Sequence, residues 1–318
     1  MNILEEKLLS AEKVALTGHV SPDGDCIGSL LSLYNYISTV YPKIKISAYL
    51  EEFNDKFLFL KNSENIKHSV EEDSEFDLLI CVDSADMERL GFAKELLKRS
   101  KESINIDHHV TNTKFTDETC LEAQASSTAE VIYGLLDKEK IDKVVAECLY
   151  TGIVHDTAVF RYSCTSPKTM RIGAELMEKG IDYVGIIDQS FYEKTYLQNQ
   201  ISGRTLLESI LILDKRCIFS YVNRKTMNFY GVDKKDLDGI IDQLRQTKGV
   251  EVAIFLYEID TQRYKISLRS KNKVDVSKIA SLFGGGGHVR AAGCTMDGTV
   301  HDIINNISLH VEKALLKE

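Results

Sequence analysis

Four short segments carry carboxylates and imidazoles at spacings that suit metal binding. His19, Asp23 and Asp25 fall in GHVSPDGDCIGS, directly after the apolar run VALT. Asp83 follows LLICV, Asp107, His108 and His109 follow SINI, and Asp156 follows LYTGIV in GIVHDTAVF. Carboxylates and imidazoles together suit Mn²⁺, Fe²⁺ or Zn²⁺, and a set without thiolates argues against a structural zinc site. Cys26 adjoins Asp25 but is expected to turn away with the helix that follows. Four aspartates and two histidines exceed the needs of one ion, so two cations about 3.5–4 Å apart are the expected arrangement. Without cations, so many carboxylates in one crevice would repel one another. A single Asp after a strand is more often a turn or helix cap than a ligand. Here, however, five of the eight histidines fall inside a few motifs: His19, His108, His109 and His155 in these segments, and His288 in a glycine-rich one near the C-terminus. That joint pattern favours metal over caps. Asp156 has a stronger claim than its neighbour His155, which is assigned a supporting or structural place.

A second constellation lies near the C-terminus, where FGGGGHVRAAG follows the helical pattern VSKIASLF. Residues without side chains, among them Gly285, Gly286 and Gly287, let backbone N–H groups converge on a phosphate, and His288 and Arg290 add donors. The competing reading is a flexible linker. Arg269, at the end of YKISLRS, either reaches the same cleft or is an exposed edge arginine.

The elements that must position these groups alternate. KVALTGH, KIKISAYL, FDLLICVDS and SINIDHH read as strands separated by helical patterns, including one from about Ile27 to Val40. This is the signature of a parallel sheet with covering helices, whose ligands bind outside the carboxyl ends of the strands. Ser127 to Glu130 spells a capping box, and Ser166-Pro167 starts a helix that Gly180 ends. After about residue 190 the pattern changes. A helical stretch EKTYLQNQISGRTLLESI leads into CIFSYV, a helix around Asp236 to Gln246, and the strands VEVAIFLYEI and RYKISLRS. The expected class is α/β, with a metal-binding domain at 1–190, a helical linker at 191–214 and a smaller mixed α/β domain at 215–318.

With 318 residues, 43% of them hydrophobic, the chain can bury two cores. Its net charge of −9 is uneven: 20 basic and 33 acidic residues lie up to position 192, against 19 basic and 15 acidic beyond it. The basic half suits phosphates and the acidic half suits cations, unless the difference is ordinary surface variation. The seven cysteines are scattered and never spaced as CxxC, which speaks against a disulfide framework. No apolar run is long enough to cross a bilayer, and the acidic start MNILEEKLLS is unlike a signal peptide, so a cytoplasmic protein with no membrane partner is expected.

Taken in order, HVSPDGD, VDS, DHH, ASST, HDT and GGGGHVRAAG resemble the DHH phosphoesterases, and within them the bacterial nanoRNase/pAp phosphatase type. The resemblance runs from residue 19 to 293. It implies two metal ions, usually manganese: one held by His19, Asp23 and Asp83, the other by Asp25, Asp83, His108 and Asp156, with Asp83 bridging. It also implies that Asp107 orients an imidazole, that His109 faces the substrate phosphate, and that the glycine segment with His288 grips the substrate's far end across a cleft between the domains. The implied reactions are hydrolysis of short oligoribonucleotides to 5′-mononucleotides and of 3′-phosphoadenosine 5′-phosphate (pAp) to AMP. A dinucleotide phosphodiesterase acting on pApA or cyclic di-AMP, and a non-catalytic nucleotide sensor, are the alternatives. A homodimer is the family-based expectation. Family II pyrophosphatases share the N-terminal motifs but carry a lysine- and arginine-rich C-terminal domain in place of GGGGH.

Overall fold

The computed structural model describes residues 2–72 and 74–316, with the backbone but not the side chain of His288. It divides into two units, Met1–Glu193 and Lys194–Glu318.

In the first unit, β1 (Lys13–Thr17), β2 (Lys45–Tyr49), β3 (Ile66–Lys67), β4 (Phe76–Val82), β5 (Ser100–Asp107) and β6 (Glu118–Leu121) form one sheet in the order β3-β2-β1-β4-β5-β6. Every neighbouring pair is parallel. Strands covered on both faces need apolar residues at consecutive positions, which is why VALT and LLICV are continuous and buried throughout. The chain builds outward from β1 through β2 and β3, then returns to lay β4 on the other side of β1. At that reversal the connections leave to opposite faces, and a crevice opens at the carboxyl ends of β1 and β4.

The helices of this unit are α1 (Ile3–Ser10), α2 (Gly24–Val40), α3 (Thr128–Leu135), α4 (Lys143–Asp156), α5 (Pro167–Met177) and α6 (Tyr183–Ile187). α2 buries Leu30, Leu33 and Ile37 completely, each contributing about 1.5–3 kcal/mol. It crosses α4 at very short range because two glycines face each other there. A Cβ on Gly28 would lie 2.5 Å from the Cys148 carbonyl oxygen, and one on Gly152 would lie 2.7 Å from Asp25 Oδ1. This crossing brings the start of α2 beside the end of α4.

The helix starts largely follow the expectation. Ser166 and Thr169 form a reciprocal capping box with Pro167 in the first turn of α5, and Gly180 adopts φ +76° just beyond its end. At α3 only half of the expected box forms. Ser127 Oγ accepts from the Glu130 N–H, but the Glu130 carboxylate accepts from the Ser126 N–H and hydroxyl and from the Thr169 hydroxyl. α5 supplies a donor that the local sequence does not show.

The second unit has its own sheet. It comprises β7 (Ile210–Ile212), β8 (Cys217–Val222), β9 (Val252–Asp260), β10 (Arg263–Ser270), β11 (Gly286–His288) and β12 (Ala291–Asp297), in the order β11-β12-β10-β9-β8-β7. Only β8 and β9 pair in parallel. The helices are α7 (Tyr196–Leu207), α8 (Arg224–Tyr230), α9 (Ile240–Arg245), α10 (Val276–Ser281) and α11 (Val300–Leu316). From Lys194 on, the segment expected as a linker belongs to this unit as α7 and β7: Ile201 of α7 is fully buried in a core with Ile218, Ile240 and Phe255. The helix expected from Asp236 to Gln246 is split into a 3₁₀ turn, Lys234–Leu237, and α9, because Gly239 at φ +78° interrupts it. No helix among the described residues is long and apolar enough to cross a membrane.

Candidate metal centre

The crevice above β1 and β4 collects the acidic and imidazole groups. Just past the end of β1, His19 Nδ1 pairs with the Val20 carbonyl at 2.8 Å. A carbonyl only accepts, so Nδ1 carries the hydrogen and Nε2 is left for the crevice. His19 Nε2 lies 3.3 Å from Asp83 Oδ2 and 3.6 Å from Asp23 Oδ1. Asp23 is the N-cap of α2, its Oδ1 accepting from the N–H groups of Asp25 and Cys26. Asp25, fully buried, accepts from the Thr128 and Ala129 N–H groups at the start of α3, at 2.6 and 3.0 Å, and from the Ser29 hydroxyl at 3.2 Å.

Asp83 follows β4 at φ +54°, in the left-handed region that aspartate tolerates better than most residues. Its Oδ1 lies 3.7 Å from His108 Nε2 and 3.7 Å from His109 Nδ1, while its Oδ2 faces His19. One carboxylate thus turns an oxygen to each side of the crevice. His108 Nε2 also lies 3.1 Å from Asp156 Oδ2, at the last residue of α4. His109 Nδ1 donates to Asp107 Oδ1 at 2.7 Å, and Asp107 Oδ2 accepts from Asn112 Nδ2 at 2.5 Å. Asp107 is completely buried.

Among the described residues, three sets of possible ligand atoms each fall within 4.8 Å: His19, Cys26 and Asp83; Asp83, His108 and His109; and Asp25, His108 and Asp156. Asp83 is shared between the first two sets, as a bridging carboxylate of a binuclear centre would be. Cys26 departs from the expectation, since it lies under the crevice and does not turn away from it. Its Sγ packs where a Cβ on Gly18 would stand, at 2.3 Å. Burial, with Asp83 and Asp23 alongside, holds its thiol well above the ordinary range. A thiol kept protonated is a poor ligand.

The electrostatics explain what this donor set demands. Burial pushes Asp25 well above the carboxylate range, and Asp83 and Asp156 add to the push. Burial likewise raises Asp156, to about 6. Burial alone would depress His19, but hydrogen bonds to Asp23 and Asp83 outweigh it and carry the imidazole to about 10. His108 reaches about 10 in the same way, against burial, through Asp156 and Asp25. Protons here do the work of counter-charges, and divalent cations replace them with better geometry. The carboxylate and imidazole donors fit such ions.

His155, expected in a supporting or structural place, lies beside the start of α2. Its ring packs edge-on against Phe57 and Phe191, with centroids 5.0 and 5.5 Å away, and its buried Nε2 has no hydrogen-bond partner. Thr128 and Asn112 were not singled out in the sequence. Thr128 stands in ASST, but nothing local shows that its hydroxyl reaches Asp83, at 2.9 Å.

The glycine segment of the second unit differs from the expected cradle. The Gly284 and Gly285 N–H groups donate back to Ser281 and Ala280 at the end of α10, and Gly286–His288 is the extended strand β11. Amides of a strand point alternately to two sides and do not converge. Glycine is needed for close approach: a Cβ on Gly285 would lie 2.1 Å from the Gly293 carbonyl oxygen, and one on Gly287 would lie 2.5 Å from that of Ala291. Arg290 is exposed and donates to the Val274 carbonyl. Arg269 is not at an edge. It sits on β10, between β9 and β12, 3.8 Å from Asp242. The side chain of His288 lies outside the described residues.

Comparison with known proteins places the chain in a family. Residues 13–153 match the N-terminal domain of the DHH family, and residues 214–314 match the DHHA1 domain. The chain belongs to the DHH phosphoesterase family. A bifunctional oligoribonuclease and PAP phosphatase NrnA of Thermus thermophilus is 29% identical to it over 309 residues, covering 94% of this chain and 89% of that protein. The Bacillus subtilis protein of the same name is 26% identical over 290 residues, 90% of each chain. Among solved structures, an exopolyphosphatase-related protein from Bacteroides fragilis superposes with a TM-score of 0.91 at 28% identity, covering 99% of this chain and 96% of that one. In this DHH protein the residues of the family's name, Asp107, His108 and His109, divide their work: His108 lies on the Asp156 side and Asp107 holds His109.

Proposed function

We propose that the chain is a two-metal phosphoesterase that hydrolyses short oligoribonucleotides to 5′-mononucleotides and pAp to AMP, with manganese as its ion, in the cytoplasm. The observation that carries this reading is the split of the Asp83 carboxylate, Oδ2 towards His19 and Oδ1 towards His108. Two cations bound there supply charge neutralisation and a water acidified towards neutrality. His19, Asp23 and Asp83 would hold one ion, and Asp25, Asp83, His108 and Asp156 the other. Asp107 holds His109 through Nδ1, which leaves Nε2 as the donor for a phosphoryl oxygen whose charge grows as phosphorus is attacked. Nε2 donates only in the imidazolium form, which the hydrogen bond to Asp107 favours by raising the His109 pKa. In the second unit, the edge strand that holds Gly286 and Gly287, with Gly285, His288, Arg290 and Arg269, is the proposed source of phosphate donors. The oligoribonucleotide and pAp activities named for the relatives support the substrate assignment.

The deciding experiment incubates the protein and Asp83→Ala with Mn²⁺ and, separately, labelled RNA of two to five nucleotides, pAp, pApA and cyclic di-AMP. Mononucleotide release from RNA and AMP from pAp, both absent in Asp83→Ala, is the expected result. Preference for pApA or cyclic di-AMP would assign the dinucleotide phosphodiesterase reading. Binding without hydrolysis of any substrate would assign a sensor.

A further inference from the structure

Thr128 is fully buried at the first position of α3 and touches both sides of the centre. Its hydroxyl donates to Asp83 Oδ1 at 2.9 Å, and its backbone N–H donates to Asp25 Oδ2 at 2.6 Å. Asp83 Oδ1 is the same oxygen that lies 3.7 Å from His108 Nε2 and from His109 Nδ1. A carboxylate oxygen accepts along two directions, so a donor on one leaves the other for a cation and fixes the plane of the group. Threonine is stiff at χ1, and the first turn of α3, capped by Ser127, fixes its backbone.

We propose that Thr128 is a positioning residue for the two-ion centre. Its hydroxyl sets the rotation of the Asp83 carboxylate so that Oδ2 serves the His19 side and Oδ1 the His108 side, while its N–H steadies Asp25. The inference rests on the two-metal reading above. Without the hydroxyl, nothing on α3 opposes rotation of Asp83, and an unfixed carboxylate serves either side but not both at once. A merely structural role, satisfying a buried polar group, would affect stability and leave metal affinity alone.

The test compares Thr128→Val, which keeps shape and N–H but loses the hydroxyl, with Thr128→Ser, which keeps both donors. Mn²⁺ affinity and stoichiometry are read by calorimetry, kcat and KM on a short RNA, and folding by thermal melt. Thr128→Val should bind Mn²⁺ about 10- to 100-fold more weakly, the usual effect of removing a group that orients a ligand. Its kcat should fall with KM little changed, and Thr128→Ser should return to near the wild-type values. Wild-type Mn²⁺ affinity in Thr128→Val would overturn the proposal, as would a Thr128→Ser protein as defective as the valine variant. If Thr128→Val does not fold, Thr128→Ala takes its place with the same readouts. Should the wild type bind Mn²⁺ yet hydrolyse neither RNA nor pAp, the functional reading fails, and the Mn²⁺ affinities still decide the role of Thr128.

Discussion

His155 offers a sharp check on the electrostatics of the crevice wall. Its ring lies between Phe57 and Phe191, and a Cβ on Gly24 would stand 2.1 Å from its Cγ. Burial, and then the nearby charge of Lys56, push its pKa down to about 3, from an ordinary value of 6.5. Above pH 6.5 the imidazole is neutral in both folded and unfolded chains and costs nothing. As pH falls below 6.5 the unfolded chain takes up a proton that the folded one refuses until about 3. Over that window the unfolded state gains about 1.4 kcal/mol per pH unit, hence about 2 kcal/mol between pH 6.5 and 5. His155→Leu removes the term. Asp156, at about 6, and the high-pKa His19 and His108 titrate in both proteins and cancel in the difference. The assay is urea unfolding of both proteins between pH 7.5 and 5 at one fixed metal concentration. Any pH-independent packing loss in the leucine variant appears as a constant offset. The wild type should lose about 2 kcal/mol relative to the variant across the range. Stabilities that run parallel from pH 7.5 to 5 would refute the reasoning, as would an NMR titration of His155 near its ordinary value.

Other perturbations address the centre and its surroundings. Mn²⁺ binding at neutral pH should release protons, because His19 and His108 are charged before the ion arrives; calorimetric heats that do not vary with the buffer's ionisation enthalpy would contradict this. In Asp107→Asn the His109 imidazole loses the charged acceptor that most raises its pKa. Activity should therefore fall, and its alkaline limb should move to lower pH; an unmoved limb would separate that limb from His109. Ala158, Val159 and Phe160 form a left-handed turn at φ +48°, +58° and +59°, two residues beyond Asp156. Ala158→Gly should stabilise the protein by about 0.5–1 kcal/mol, as relief of left-handed strain outweighs glycine's added freedom when unfolded. A lower melting temperature would count against that balance.

Much of this protein is written locally. Asp83, His108 and the neighbours of His19 stand directly after apolar runs, and a parallel sheet has to bring the ends of its strands to one edge, so the gathering of these groups was legible without coordinates. Helix starts at Ser127 and Ser166 were legible too, because caps act within a turn of their own position, whereas α2 begins at Gly24, ahead of the expected Ile27. Other features depend on segments distant in sequence, and only the tertiary structure decided them. The Thr128 hydroxyl meets an aspartate 45 residues away, Cys26 lies beneath the crevice, and Glu130 takes its donor from Thr169, 39 residues on. The conformation of the glycine run was hidden for the same reason: a row of residues without side chains fits a loop and a close-packed strand equally well, and the carbonyls of Gly293 and Ala291 on β12 select the strand. Sequence fixes which groups are available and at which strand ends they emerge. The direction in which each donor points depends on what packs against it, and that is settled when α2, α3 and α4 close over the sheet.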